Sequence, residues 1–173
     1  VNTYGTGPLD PDSDDDGLMD GAEVNNYGTG PLDSDSDDDG LLDGAEVNIY
    51  GTQPLDLDSD NDGLTDGAEV NTHSADPQDS DSDDDGMLDG WEVGYLLDPL
   101  ASNGLADTDM DMFEDLYEFA MGGDPTNALD VGYIPSFNIV VDNGTTYVDY
   151  IYAKRTNSTD LGLDYFVELT GDP

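Results

Sequence analysis

Apolar positions are sparse over the first hundred residues and become dense only toward the C-terminus. Around residues 18–32 they are Leu18, Met19, Ala22, Val24, Tyr27 and Leu32, with Gly28, Gly30 and Pro31 interleaved. This spacing predicts a helix of about two turns from Leu18 to Asn25, a stop at Gly28 and an extended Pro-Leu-Asp return. A unit with so few apolar groups cannot close a core alone. Further on, Phe113, Leu116, Tyr117, Ala120 and Met121 recur at helical spacing ahead of Gly122, Gly123 and Pro125, which predicts an amphipathic helix with a core-facing stripe. After Pro135 the runs FNIVVD, TTYVDYIYAKR and DYFVELT read as three strands, the first two joined by a tight Asn143-Gly144 turn. Exposed edges on so small a sheet invite pairing with another chain.

Self-comparison gives a period of 23 residues. DSDDDGLMDGAE at 12–23 returns as DSDDDGLLDGAE at 35–46, DSDNDGLTDGAE at 58–69 and DSDDDGMLDGWE at 81–92, with a divergent DTDMDMFEDLYE at 107–118 after a three-residue insertion. Each copy has Asp at positions 1, 3, 5 and 9 and Glu at 12, the ligand arithmetic of an EF-hand-type calcium loop, in which position 7 adds its backbone carbonyl. The candidate metal ligands are therefore Asp12, Asp14, Asp16, Leu18, Asp20 and Glu23 in the first loop. Asp35, Asp37, Asp39, Leu41, Asp43 and Glu46 follow in the second, and Asp58, Asp60, Asp62, Leu64, Asp66 and Glu69 in the third. The fourth has Asp81, Asp83, Asp85, Met87, Asp89 and Glu92, and the fifth Asp107, Asp109, Asp111, Phe113, Asp115 and Glu118. Calcium takes six to eight hard oxygens, which clustered carboxylates supply. Gly17, Gly40, Gly63 and Gly86 at position 6 suit a sharp left-handed turn, whereas Met112 in the fifth loop would be strained there. The fifth site is expected to be occupied, because its carboxylate positions are intact.

Charge sharpens this reading. The chain holds 43 acidic and two basic residues in 173, a formal net charge of −41, and the two bases, Lys154 and Arg155, are adjacent. No salt bridge can neutralise the repeats, and like charges 4 Å apart repel by about 4 kcal/mol at an effective dielectric of 20. A compact form of this stretch needs an external cation. The same balance excludes nucleic acid as a partner and disfavours an anionic membrane surface. Without cysteine there is neither disulfide nor thiolate site, and no apolar run is long enough to span a bilayer. VNTYGTGPLD shows no basic-then-apolar leader. No nucleophile and base pair stands out, and carboxylates this periodic suit calcium better than glycoside chemistry.

Only 11 residues separate the first two loops, too few for the paired helices of a full EF-hand. The fold class expected is a repeat array of EF-hand-like calcium loops with short helices, extended or solenoid-like, plus a small C-terminal antiparallel β module. The domains are 1–106, tandem calcium loops starting in mid-repeat; 107–130, the divergent fifth loop and amphipathic helix; and 131–173, a β-strand module completed by missing residues or by another chain. Val1 aligns with Val24, so the chain reads as a segment of a longer array or as one cut at a proteolytic boundary. Asp10, Asp33, Asp56 and Asp79 before the loops, and Asp15, Asp38, Asn61 and Asp84 at position 4, read as solvated surface; the competing reading is a second calcium shared between repeats. Tyr4, Tyr27 and Tyr50, with His73 in the same register, read as inter-repeat packing. The Asn143 and Asn157 sequons read as coincidence.

The elements DSDDDGLMDGAEV and YGTGPLD resemble the thrombospondin type 3 repeat in its bacterial, cysteine-free form, and DGWEVGYLLDPL with DTDMDMFEDLYEFAMGGDPTN resembles the closing unit of such arrays. The resemblance implies calcium-loaded, extended, extracellular repeats on secreted or envelope-attached proteins, without catalytic residues. Function is thus expected to be structural and non-enzymatic: about five calcium ions, more if sites are shared, rigidify a stalk, spacer or filament segment, with self-association through strand edges. The alternatives are a linker in a larger secreted hydrolase or adhesin, and a dockerin-like partner-binding module, which has two loops rather than five and lacks the position-9 Asp with Glu at 12.

Overall fold

The computed structural model describes residues 3–7, 9–142 and 145–151. Each of the first three repeats folds as a turn-rich acidic loop followed by a short helix whose hydrogen-bond pattern changes partway along. In the first, α1 (Asp20–Ala22) continues as a π-helical turn, Glu23–Tyr27, and α2 (Asp43–Ala45) and α3 (Asp66–Ala68) continue likewise through Glu46–Tyr50 and Glu69–His73. Gly28 at φ 82° and Gly51 at φ 78° end the first two in the left-handed conformation that glycine adopts cheaply, their N–H groups donating five residues back to Glu23 and Glu46. Ser74 takes the same conformation in the third. The first helix thus starts two residues later than the apolar spacing predicts and runs two residues further, because Met19 is extended and the π turn carries the chain on to its cap.

α4 (Asp89–Gly94) follows the fourth loop and α5 (Asp115–Met121) the fifth. In α5 the expected stripe is only half-buried; the apolar side chain that is fully enclosed is Phe119, while Phe113 lies ahead of the helix with its ring 4.9 Å from that of Tyr117. β1 (Ser136–Asp142) and β2 (Thr145–Ile151) pair antiparallel, Ser136 opposite Ile151. The hairpin turn and the expected third strand, DYFVELT, lie outside the described residues, so a three-stranded β module is not supported.

The described residues form two compact units. One comprises those up to Asp83 with Leu88–Val93 and Leu97–Leu100; the other comprises Asp84–Met87, Gly94–Leu96 and those from Ala101 on. Buried hydrophobic side chains among them are few: Leu18, Leu41, Ala75, Met87 and Phe119, joined by prolines such as Pro31, Pro54 and Pro77 in register. Acids outnumber them inside. Glu23, Glu46, Glu69, Glu92 and Glu118 are fully enclosed, as are Asp43, Asp66, Asp89 and Asp115.

Candidate metal centres

Each loop is closed before any ligand is considered. The position-9 N–H donates to the carbonyl of the residue just before position 1: Asp20 to Pro11 at 3.0 Å, Asp43 to Ser34 at 3.1 Å, Asp66 to Leu57 at 3.0 Å, Asp89 to Ser80 at 3.2 Å and Asp115 to Ala106 at 2.8 Å. Between these ends the backbone turns through left-handed conformations at positions 4 and 6. Position 4 is Asp15, Asp38, Asn61, Asp84 and Met110, with φ between 60° and 66°, and position 6 is glycine at 95–100° or Met112 at 85°. Asp and Asn tolerate that conformation best among residues with a Cβ, which accounts for the recurring position-4 acid. Those side chains are exposed, as are Asp10, Asp33, Asp56 and Asp79, so their surroundings are those of solvated surface.

The double turn brings positions 1, 3 and 5 together. In Asp12–Asp14–Asp16, Asp35–Asp37–Asp39, Asp58–Asp60–Asp62, Asp81–Asp83–Asp85 and Asp107–Asp109–Asp111, one carboxylate oxygen from each residue lies within 4.8 Å of the others. Some of their oxygens are held by the loop's own amides. Asp12 accepts from Gly17 N–H at 3.2 Å and Asp16 from Leu18 N–H at 2.6 Å, so the position-7 residue is fastened with its amide turned to the cluster. Others have no donor. Buried oxygens without a hydrogen-bond partner include Asp12 Oδ1 and both of Asp14, Asp35 Oδ1, Asp37 Oδ2, Asp60 Oδ2 and Asp109 Oδ2. The position-12 glutamates behave likewise: both oxygens of Glu23, Glu69 and Glu118 lack a partner, while Glu46 Oε1 accepts from the Thr52 hydroxyl at 3.3 Å.

Position 9 is engaged within its own loop. Asp20 accepts the Ser13 N–H on Oδ1 at 2.8 Å and the Ser13 hydroxyl on Oδ2 at 3.0 Å. Asp43 does the same with Ser36 at 2.7 and 2.6 Å, Asp66 with Ser59 at 2.8 and 2.7 Å, and Asp115 with Thr108 at 3.0 and 2.6 Å; Asp89 takes the Ser82 N–H at 2.9 Å. These carboxylates pin position 2 to the helix start and stand outside the clusters of positions 1, 3 and 5. The Ser or Thr at position 2 of every copy was the sequence signal for this clamp.

Electrostatics follow burial. Desolvation, then neighbouring carboxylates, push Glu23 up to about 7, Glu46 to about 8, Glu69 to about 9 and Glu118 to about 7. Asp37 and Asp60 rise for the same reasons, to about 6 and about 7. Asp20 differs. Burial would raise it, but the Ser13 donors hold it below the ordinary carboxylate range. A buried carboxylate oxygen without a donor is costly, and a hard divalent cation satisfies several at once. The donor set therefore fits calcium.

The loops also join the repeats. Asp16 Oδ2 accepts the Gly44 N–H of the following repeat at 3.0 Å, Asp39 that of Gly67 at 2.5 Å and Asp62 that of Gly90 at 2.7 Å. A Cβ on Gly44 or Gly67 would stand 2.4 Å from the carbonyl oxygen of Asp16 or Asp39, so position 10 must be glycine where a preceding turn covers it. Asn48 and Asn71 add side-chain bonds to the carbonyls of Gly17 and Gly40, at 3.4 and 3.0 Å. In the fifth repeat position 10 is Leu116, and Asp85 Oδ2 instead accepts from Asn103 and Gly104, in the longer segment ahead of the fifth loop, at 2.7 and 2.6 Å. Tyr4 and Tyr27 are 54% and 38% exposed, whereas Tyr50 and His73 in the same register are half-buried.

Three tandem acidic loops with this register identify the repeat. Residues 12–34, 35–57 and 58–80 match the bacterial TSP3 repeat. The fourth and fifth loops lie outside the matched span and carry Asp clusters of the same spacing. No curated protein and no solved structure matches the chain. TSP3 repeats are a calcium-binding, non-catalytic class, in line with the clusters of positions 1, 3 and 5. No helix among the described residues is long and apolar enough to cross a membrane.

Proposed function

We propose that this chain is a non-enzymatic, extracellular structural protein in which calcium, bound once per loop, rigidifies the TSP3 repeats into a stalk or spacer. The observation that carries it is the set of buried carboxylate oxygens at positions 1, 3 and 12 that no hydrogen bond satisfies, repeated in register. The ligands in this reading are the position-1, -3 and -5 aspartates, the position-7 carbonyl and both oxygens of the position-12 glutamate, with the position-9 aspartate shaping the loop. Calcium supplies the positive charge that the repeats lack. Five ions would bring the net charge from −41 to about −31, so the loaded chain still repels itself and other copies. Extracellular calcium modules commonly work at about 10⁻⁴ to 10⁻³ M, which suits constant occupancy outside a cell. Filament formation through strand edges gains no support from the described residues, whose two strands pair with each other.

Calorimetric titration and small-angle scattering test the proposal together. The expected result is about five calcium ions per chain, with a radius of gyration that grows and a circular dichroism signal that collapses when chelator is added. A chain that keeps its dimensions and spectrum without divalent cation would overturn it.

A further inference from the structure

The junction between repeats has two halves: a position-5 aspartate turn on one repeat and a position-10 glycine on the next. Gly44, Gly67 and Gly90 are each covered by such a turn, whose carboxylate takes their N–H and whose backbone sits 2.4–2.7 Å from where a Cβ would be. Gly21 is the same residue of the first repeat. Among the described residues nothing lies within 4 Å of a Cβ built on it, and it opens into a shallow groove shared with Tyr4, Thr6, Val24, Asn25 and Pro31. Helix α1 presents the same Gly-Ala pair as α2 and α3, and Asn25 stands where Asn48 and Asn71 reach across to a preceding turn. Asn25 here bonds the Gly21 carbonyl of its own repeat at 2.6 Å.

We propose that the Gly21 face is a docking surface for the Asp-x-Asp-x-Asp-Gly turn of one more repeat of this class, joined in register so that its position-5 aspartate lies 28 residues before Gly21, the separation in the three filled junctions. The occupant's chemistry is fixed by those junctions. It brings a carboxylate to the Gly21 N–H, a carbonyl to the place a side chain would fill, and a second carbonyl to the Asn25 amide. Alanine at position 21 would close the surface while leaving the chain's own loops intact.

The test is a paired comparison in calcium: the chain as it is, and the chain extended before Val1 by a copy of residues 24–46, each with Gly21 or Gly21→Ala. Exchange of the Gly21 amide is expected to slow by roughly tenfold or more on extension. Gly21→Ala is expected to leave the melting temperature of the original chain unchanged within about a degree and to lower that of the extended chain by several degrees. Gly67→Ala, at a filled junction, is expected to lower both. An effect of Gly21→Ala equal in the two chains, or Gly21 exchange that is indifferent to extension, would overturn the proposal; the exchange measurement needs no substitution, so it decides the matter even where a variant fails to fold.

Discussion

Two carboxylates three residues apart in the same loop do opposite work. Asp43 is enclosed with both oxygens on Ser36 donors, whereas Glu46 is enclosed with one oxygen unpartnered and its pKa pushed up to about 8 by burial and by Asp37. Asp43→Ala is expected to strand the half-buried Ser36 donors and cost the calcium-loaded chain about 1–3 kcal/mol, read from chemical denaturation. Glu46→Gln is expected to lower calcium affinity at one site in titration calorimetry, since it replaces a charged ligand oxygen by an amide. The raised glutamates also set a pH dependence. An acid whose folded pKa exceeds its unfolded value contributes stability that is complete below the unfolded value and is lost as pH rises through the folded one. With ordinary values near 4.5 and folded values of about 7 to 9, the chelated chain is expected to recover its circular dichroism signal progressively as pH falls from 9 to 5. Calcium affinity is expected to rise in the opposite direction, with rising pH, as protons leave the ligands.

At the scale of the loop and its helix, the fifth copy is the instructive variant. Met112 holds φ 85° where the other loops place glycine, and Met110 holds 66° at position 4, both side chains exposed. Met112→Gly is expected to stabilise the chain by about 1 kcal/mol, the left-handed penalty less the entropy that glycine loses on folding, and thermal melts would show it. That strained turn was readable from the sequence, as were the register of the clusters and the glycine stops, because each follows from a local spacing. The partner of Asp20 and the partner of Gly44 were not. Identical repeats give every position-9 carboxylate and every position-10 amide several equivalent candidates, and spacing alone does not choose between a serine seven residues away and an aspartate 28 residues away. The π turns were equally silent, since a bond reaching five residues back leaves no mark on apolar periodicity. Phe119 was missed because it falls off the stripe of Phe113, Leu116 and Tyr117 yet is the residue enclosed beside Glu118.

At the scale of the whole molecule, the interior formed by the described residues has an unusual composition, with a handful of aliphatic and aromatic groups against a larger number of enclosed acids. Heat-capacity change on unfolding comes from apolar surface meeting water, and polar exposure acts in the opposite sense. Differential scanning calorimetry of the calcium-loaded chain is therefore expected to give well under the usual ~12–15 cal/mol/K per residue. A stability curve that flat barely bends between cold and warm surroundings. What governs persistence is then the ionic strength and mineral content of the medium, so that dilution into soft water, rather than a change of season, is the stress to which such a molecule yields.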